Sequence, residues 1–232
     1  MEHARNIVIK YGGSLLFENG AIRTERVDAV CDIVRERVAR GHRVGLVVGG
    51  GWTARHYIAA LAAGYPVADK DLVAVLATRL NAMLFISRLA DLAAPYPPSS
   101  YEELARVAKR DAVVVSGGLQ PGQSTNAVAA LLCEAMGASV LVNASNVSYV
   151  YDRDPRTNTD AVPLSDLTYE ELTGIIAGNG ASAGQYALFD MVAASIVARS
   201  KIVLHFVDGS MPQTIRDVLE GKRAGTTVQG TI

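Results

Sequence analysis

The stretch Gly117 to Gly137, GGLQPGQSTNAVAALLCEAMG, decides how the rest of the chain is read. It follows an apolar β-branched run, Val113 to Val115, that has the pattern of a buried strand ending in a glycine turn. Pro121 and Gly122 punctuate the turn, and Ser124 or Thr125 stands where a helix N-cap belongs. Val128, Leu131, Leu132 and Ala135 then fall on one side of the expected helix. Strand, glycine turn and capped helix together aim free N–H groups and the positive end of a helix dipole at one spot, which suits a phosphate or another anion. The same local pattern also serves as a plain connection without a ligand, so its meaning rests on recurrence.

It recurs on both sides. Ile7 to Ile9 is a short apolar strand running into Lys10-Tyr11-Gly12-Gly13-Ser14, where a lysine beside paired glycines can reach a phosphate or simply end a strand in solvent. This is not the P-loop spacing. Val27, Val30, Val34 and Val38 keep helical spacing from Arg26 to Arg40, and Gly41 ends that helix. Arg43 to Val48 reads as the second strand and leads into Gly49-Gly50-Gly51, three glycines that imply a close approach to the main chain. Arg55 lies one turn into the next helix, either gripping the same anion or exposed, while Trp52 and His56 read as packing or surface residues. Asp69 to Leu89 is helical by pattern, with Asp71 and Arg79 its notable polar members. The proline-rich Asp91 to Ser100 is a link, either a domain boundary or a long connection within one sheet.

Ser100 with Glu103 and Thr168 with Glu171 have the spacing of capping boxes. Ser139 to Val142 is a further strand ending at Asn143-Ala144-Ser145-Asn146, and Ile202 to Val207 another, followed by a short helix from Pro212 to Leu219. Gly174 to Gly184, rich in Gly, Ala and Ser, reads as a loop able to close over a site. Strands alternating with helices give an α/β fold on a mainly parallel sheet, whose ligands gather at the carboxyl ends of the strands. Lys10, Gly49 to Gly51, Gly117 to Thr125 and Asn143 to Asn146 all follow strands and should converge on one edge.

Composition narrows the function. Of 232 residues, 50% are hydrophobic and 19% charged, which is enough to build a sizeable core. A net charge of −1 leaves no basic excess for general nucleic-acid binding. No run approaches a membrane span and the start MEHARN lacks a signal-peptide core, so a soluble, cytoplasmic protein is expected. Cys31 and Cys133 have no metal spacing and read as buried thiols, with a disulfide between them left open.

From Asn6 to about Ile232 the chain resembles the amino acid kinase superfamily, and within it the archaeal-type uridylate (UMP) kinases. The resemblance is carried by VVGGGWTARHYI (47–58), TRLNAM (78–83), VSGGLQPGQSTNAVAALLCE (115–134), YDRDPR (151–156) and AGQYALFDMVAASIVARSKI (183–202). It implies a single three-layer αβα sandwich over residues 1–232, with an acceptor-binding part (about 1–115) and an ATP-binding part (about 116–232). It also implies a homohexamer, and transfer of the γ-phosphate of ATP to UMP with Mg²⁺ carried on the ATP phosphates. By the same resemblance Lys10 bridges phosphates and Asp190 orients it. Gly50, Gly51, Arg55, Asp71, Gly118, Gln120, Gln123 and Thr125 take UMP, while Lys10, Gly12, Gly13, Ser145, Asn146, Tyr151 and Asp154 take ATP. Four departures from the family pattern, at five positions, stand out: Ser148-Tyr149 in place of Asp-Gly, Met191 in place of a common Pro, Ser195 in place of an archaeal Lys, and Asn126 in place of a frequent Asp. They motivate the alternatives: a catalytically weakened relative that binds nucleotide or stores an oxyanion, or a kinase for another small phosphate or carboxylate acceptor.

Overall fold

The computed structural model describes residues 6–155, 157–178 and 189–230. In chain order, β1 (Asn6–Tyr11) leads through a 3₁₀ turn (Gly13–Leu16) to a hairpin of β2 (Phe17–Glu18) and β3 (Ala21–Ile22), then α1 (Thr24–Ala39), β4 (Arg43–Val48) and α2 (Gly51–Ala60). Next come α3 (Val67–Arg88), α4 (Tyr101–Arg110), β5 (Val113–Ser116), α5 (Thr125–Met136) and β6 (Val140–Ser145). The chain continues through β7 (Val150–Tyr151), β8 (Pro163–Leu164), β9 (Asp166–Thr168), α6 (Tyr169–Gly178), α7 (Met191–Arg199), β10 (Val203–Asp208), α8 (Pro212–Leu219) and β11 (Thr226–Gln229).

Seven strands form one sheet in the order β5-β4-β1-β6-β10-β11-β9. The first five are mutually parallel; β11 runs antiparallel to its neighbour β10, and β9 runs parallel to β11, so the last two strands are reversed. Strand alternation sorts side chains to two faces. Val8, Val47, Val114, Leu141 and Leu204 pack with α4, α5, α6 and α7 on one side, whereas Ile7, Ile9, Leu46, Val113, Val142 and Val207 pack with α1, α3 and α8 on the other. The architecture is therefore the expected three-layer αβα arrangement on a mainly parallel sheet. Cys31 belongs to one layer and Cys133 to the opposite one, and both are free thiols, which closes the question of a disulfide between them.

Several local expectations change. Helix α5 is buried nearly all round, with Ala127, Ala129, Ala130, Cys133 and Met136 inside as well as Val128 and Leu132, because α4 and α7 flank it above the sheet. Gly45 makes room beneath it: a Cβ there would lie 2.6 Å from Leu132 Cδ2. The strand expected to end at Val142 continues to Ser145, since Asn143 sits in register between Lys10 and Phe206. Gly174 to Gly178, read as loop, is the second half of α6, and the remainder of that stretch lies outside the described residues. The proline-rich link joins α3 to α4 along the sheet edge, where Ala93 bridges Val113. Ser124, and not Thr125, caps α5, while Thr168 and Glu171 form the reciprocal capping box. Trp52 is a packing residue, stacked between Phe17 and His56.

Candidate active site

The carboxyl ends of β1, β4, β5, β6 and β10 share one edge because the strands run in one direction. The glycine turns after β1 and β4 lie against each other there. Gly12 N donates to Ala144 O (2.9 Å) and Gly49 N to Tyr11 O (2.9 Å), which draws both turns into the sheet edge. A Cβ on Gly13, Gly49 or Gly51 would fall within 3.0 Å of backbone atoms of the opposite turn, and Gly51 has φ +53. The close approach to the main chain expected at Gly49 to Gly51 comes, at Gly49 and Gly51, from the neighbouring turn, whereas a Cβ on Gly50 would lie 2.6 Å from Ala54 Cβ. Helix α2 starts at Gly51 with no side-chain cap, so its first N–H groups stay open toward the edge. Arg55, one turn on, is exposed.

Helix α3 holds the third glycine turn. Thr78 Oγ1 accepts from Gly118 N (2.6 Å), and Asp71 Oδ2 accepts from Gly122 N (2.9 Å). Arg79 donates to Gly118 O (3.0 Å), Leu119 O (2.9 Å) and Ser99 O (2.8 Å). Gly117 must be glycine, since a Cβ would sit 2.7 Å from Arg79 N. Arg79→Met leaves three carbonyls without their charged donor and is expected to cost about 2–4 kcal/mol, measured as a lower urea midpoint at unchanged slope.

Lys10 is half-buried, and strand alternation turns it to the face of α5 and α7 together with Val8. Those two helices begin side by side. Ser124 accepts from Ala127 N and Asp190 accepts from Ala193 N, both at 3.0 Å, and the Ser124 hydroxyl donates to Asp190 Oδ2. Desolvation pulls the Lys10 ammonium down from 10.5 to about 8, while the Asp190 carboxylate acts in the opposite direction. A half-buried lysine acted on by one carboxylate, which itself joins the adjoining starts of two helices, is suited to receive further negative charge. Gln123 adds a buried Oε1 with no hydrogen-bond partner. Gln120 is exposed, and Thr125 is the half-buried first residue of α5.

Beyond β6, Ser145 Oγ accepts from Val147 N (3.3 Å) and Asn146 is exposed. Tyr151 and Asp154 lie on the arm formed by β7 and β8, anchored to β11 through Val150 N donating to Thr226 Oγ1 (2.9 Å). The Asp154 carbonyl accepts from Asn158 N (3.0 Å) and Asn158 Nδ2 (2.9 Å), which folds the arm back on itself.

The model of the amino acid kinase family matches residues 5–208, most of the chain. The chain belongs to the amino acid kinase family. It is 39% identical to a uridylate kinase of Methanoregula boonei over 98% of this chain and 97% of that protein. It is 44% identical to a uridylate kinase of Pyrobaculum calidifontis over 81% and 87% respectively. The solved uridylate kinase of Archaeoglobus fulgidus superposes with a TM-score of 0.82 at 38% identity, covering 96% of this chain and 99% of that one. A UMP kinase structure from Bacillus anthracis, at 17% identity and a TM-score of 0.78, shares the fold.

Within this amino acid kinase fold the positions that depart from the family pattern have visible surroundings. Ser195 is exposed on α7, its hydroxyl donating to Met191 O (2.8 Å), and Met191 is exposed beside it. The Ser148 carbonyl lies against Gly225, whose φ is +71 and where a Cβ would fall inside 3.0 Å of Ser148 O and Phe206 O. Reading the sequence missed Thr78 and Asn81 as parts of the site and left Ser124 as one of two candidate caps in the converging stretch. Their only signals were the matched TRLNAM stretch and the capping position, neither of which names a bonding partner. Among the described residues no helix is long and apolar enough to cross a membrane.

Proposed function

We propose that this chain catalyses transfer of the γ-phosphoryl group of ATP to UMP, giving UDP and ADP. The observation that carries the reading is the desolvated Lys10 facing Asp190 and the adjoining starts of α5 and α7. The near-full-length relatives named uridylate kinase support the choice of UMP. A UMP phosphate oxygen attacks the γ-phosphorus as the bond to the β-bridging oxygen breaks, and no strong general base is required. Lys10 supplies charge to the transferred group, and Asp190 orients Lys10. Gly50, Gly51 and Arg55 take the acceptor phosphate at the open start of α2. Asp71, already bound to Gly122 N, offers its other oxygen to the ribose, with Gly118, Gln120, Gln123 and Thr125 along the same nucleotide. Gly12, Gly13, Ser145, Asn146, Tyr151 and Asp154 take ATP. The chain then acts as one unit, acceptor side about 1–115 and donor side about 116–232.

Among the described residues no group of three His, Cys, Asp or Glu side chains could cage a metal ion. Mg²⁺ is read as carried by the ATP phosphates and water, where it would neutralise charge on the transferred group. We read the enzyme as cytoplasmic, where ATP and UMP are both at hand.

We read the assembly as a homohexamer, the state implied by the family resemblance. A self-contact is supported by the apolar ridge of Leu72, Leu76 and Leu80 on α3, which are 45%, 54% and 59% exposed at four-residue spacing. Leu76→Glu is expected to lower the mass measured by light scattering after size exclusion, whereas an unchanged mass would remove α3 from the interface.

The deciding assay follows UDP formation from UMP, ATP and Mg²⁺, beside CMP, GMP and AMP. Turnover restricted to UMP is expected. No turnover with any acceptor, in protein that still binds UMP, would sink the proposal.

A further inference from the structure

Between the two glycine turns that face each other across the site stands one buried face of α3. Asn81, 3% exposed, spends its whole amide there: Nδ2 donates to both Gly49 O (2.9 Å) and Gly50 O (3.0 Å), and Oδ1 accepts from Thr53 Oγ1 (3.2 Å). Two carbonyls on one side and a hydroxyl on the other leave a single consistent orientation of the amide. Thr78, 6% exposed and one helical turn earlier, serves the other turn, its hydroxyl accepting from Gly118 N (2.6 Å) and donating to Val75 O (2.6 Å). Its methyl faces back toward the first turn, since a Cβ on Gly50 would lie 3.4 Å from Thr78 Cγ2. Thr78 therefore touches both turns, through different atoms.

We infer that Thr78 and Asn81 are positioning residues which fix the Gly49–Gly51 turn and the Gly117–Gly122 loop at one set separation, that of a turn of α3, so that an acceptor nucleotide meets both at once. The inference rests on the proposed acceptor site. Neither side chain is required to touch substrate: each acts through backbone groups that do. Helix rise sets the spacing at about 4.5 Å for three residues, a rigid gauge that loops alone do not supply.

The two halves of Thr78 separate experimentally. Thr78→Val keeps the branched shape and removes the hydroxyl; Thr78→Ser keeps the hydroxyl and removes the methyl. Asn81→Asp keeps the shape of Asn81 and replaces the donor to two carbonyls by an acceptor. For T78V and N81D, kcat/KM for UMP is expected to fall about 10–100-fold while KM for ATP stays within about twofold; T78S is expected to keep activity within about threefold. Hydrogen exchange, read on the folded variants without substrate, should quicken over residues 116–123 in T78V and over 47–53 in N81D. Losses spread evenly over UMP and ATP constants, with exchange changed throughout the chain, would mean a merely structural role and overturn the inference. So would wild-type constants together with wild-type exchange. Failure of the wild-type protein to use UMP would overturn the functional proposal alone, and the exchange pattern would then decide this inference by itself.

Discussion

Lys10→Met is expected to lower kcat by about 10³-fold or more and, at the same time, to raise the melting temperature. The first effect follows from removing the side chain proposed to meet charge on the transferred phosphoryl group, in a reaction that depends on charge neutralisation more than on covalent chemistry. The second follows from burial. The amine titrates at about 8 in the folded chain against 10.5 for an ordinary lysine, so folding must desolvate a cation that Asp190 only partly compensates. That cost is fully present below pH 8, shrinks as pH rises from about 8 toward 10.5, and is gone above both values. Methionine keeps the apolar stem without the charge. At pH 7 the gain is up to about 3 kcal/mol, reduced by the water that still reaches a half-buried amine. Thermal melts of wild type and variant at pH 7 and pH 10 check the sign, because the gap should narrow at the higher pH. The same titration gives kcat/KM of the free enzyme an alkaline limb near pH 8, falling about tenfold per pH unit. Full turnover by Lys10→Met would remove Lys10 from the mechanism.

Gly51→Ala carries the other large expected effect. At φ +53 an L side chain is already strained, and the new Cβ would enter the space held by Gly13, well inside van der Waals contact. Neither backbone can retreat, because Gly12 N is bonded to Ala144 O and Gly49 N to Tyr11 O. We expect a loss of more than about 4 kcal/mol and, where the protein still folds, loss of UMP affinity measured by calorimetry. Gly41→Ala is the control. Its φ is +82 but nothing lies within 4 Å of a Cβ, so only the backbone penalty of about 1 kcal/mol remains. Equal melting temperatures for the two variants would show that the turns do not depend on their mutual contact.

The fold was largely legible because its signals are local. Runs such as Val113 to Val115 and Arg43 to Val48 show β-branched or apolar continuity, and α1, α5 and α8 announce themselves by spacing, capping and a proline at the first turn respectively. The short strands β2, β3, β7, β8, β9 and β11, of two to four residues, do not display an alternation and were not anticipated. Gly174 to Gly178 misled for a related reason: small residues suggest a loop, yet Tyr169 and Leu172 bury that helix against its neighbours and override its weak propensity.

What the sequence by itself determined is the α/β class, the parallel sheet and the gathering of Lys10, the glycine turns and Asn146 on one edge. Parallel strands that each end in a turn must bring those turns together. What only the tertiary structure decided is which groups hold one another there. Gly13, Gly49 and Gly51 are small for each other's sake, Asn81 bonds carbonyls about 30 residues away, and Ser124 meets Asp190 across 66 residues of chain. Such contacts obey no period of 2 or 3.6, so nothing along the chain records them: they exist only once the packing of α3, α5 and α7 on the sheet has set the distances.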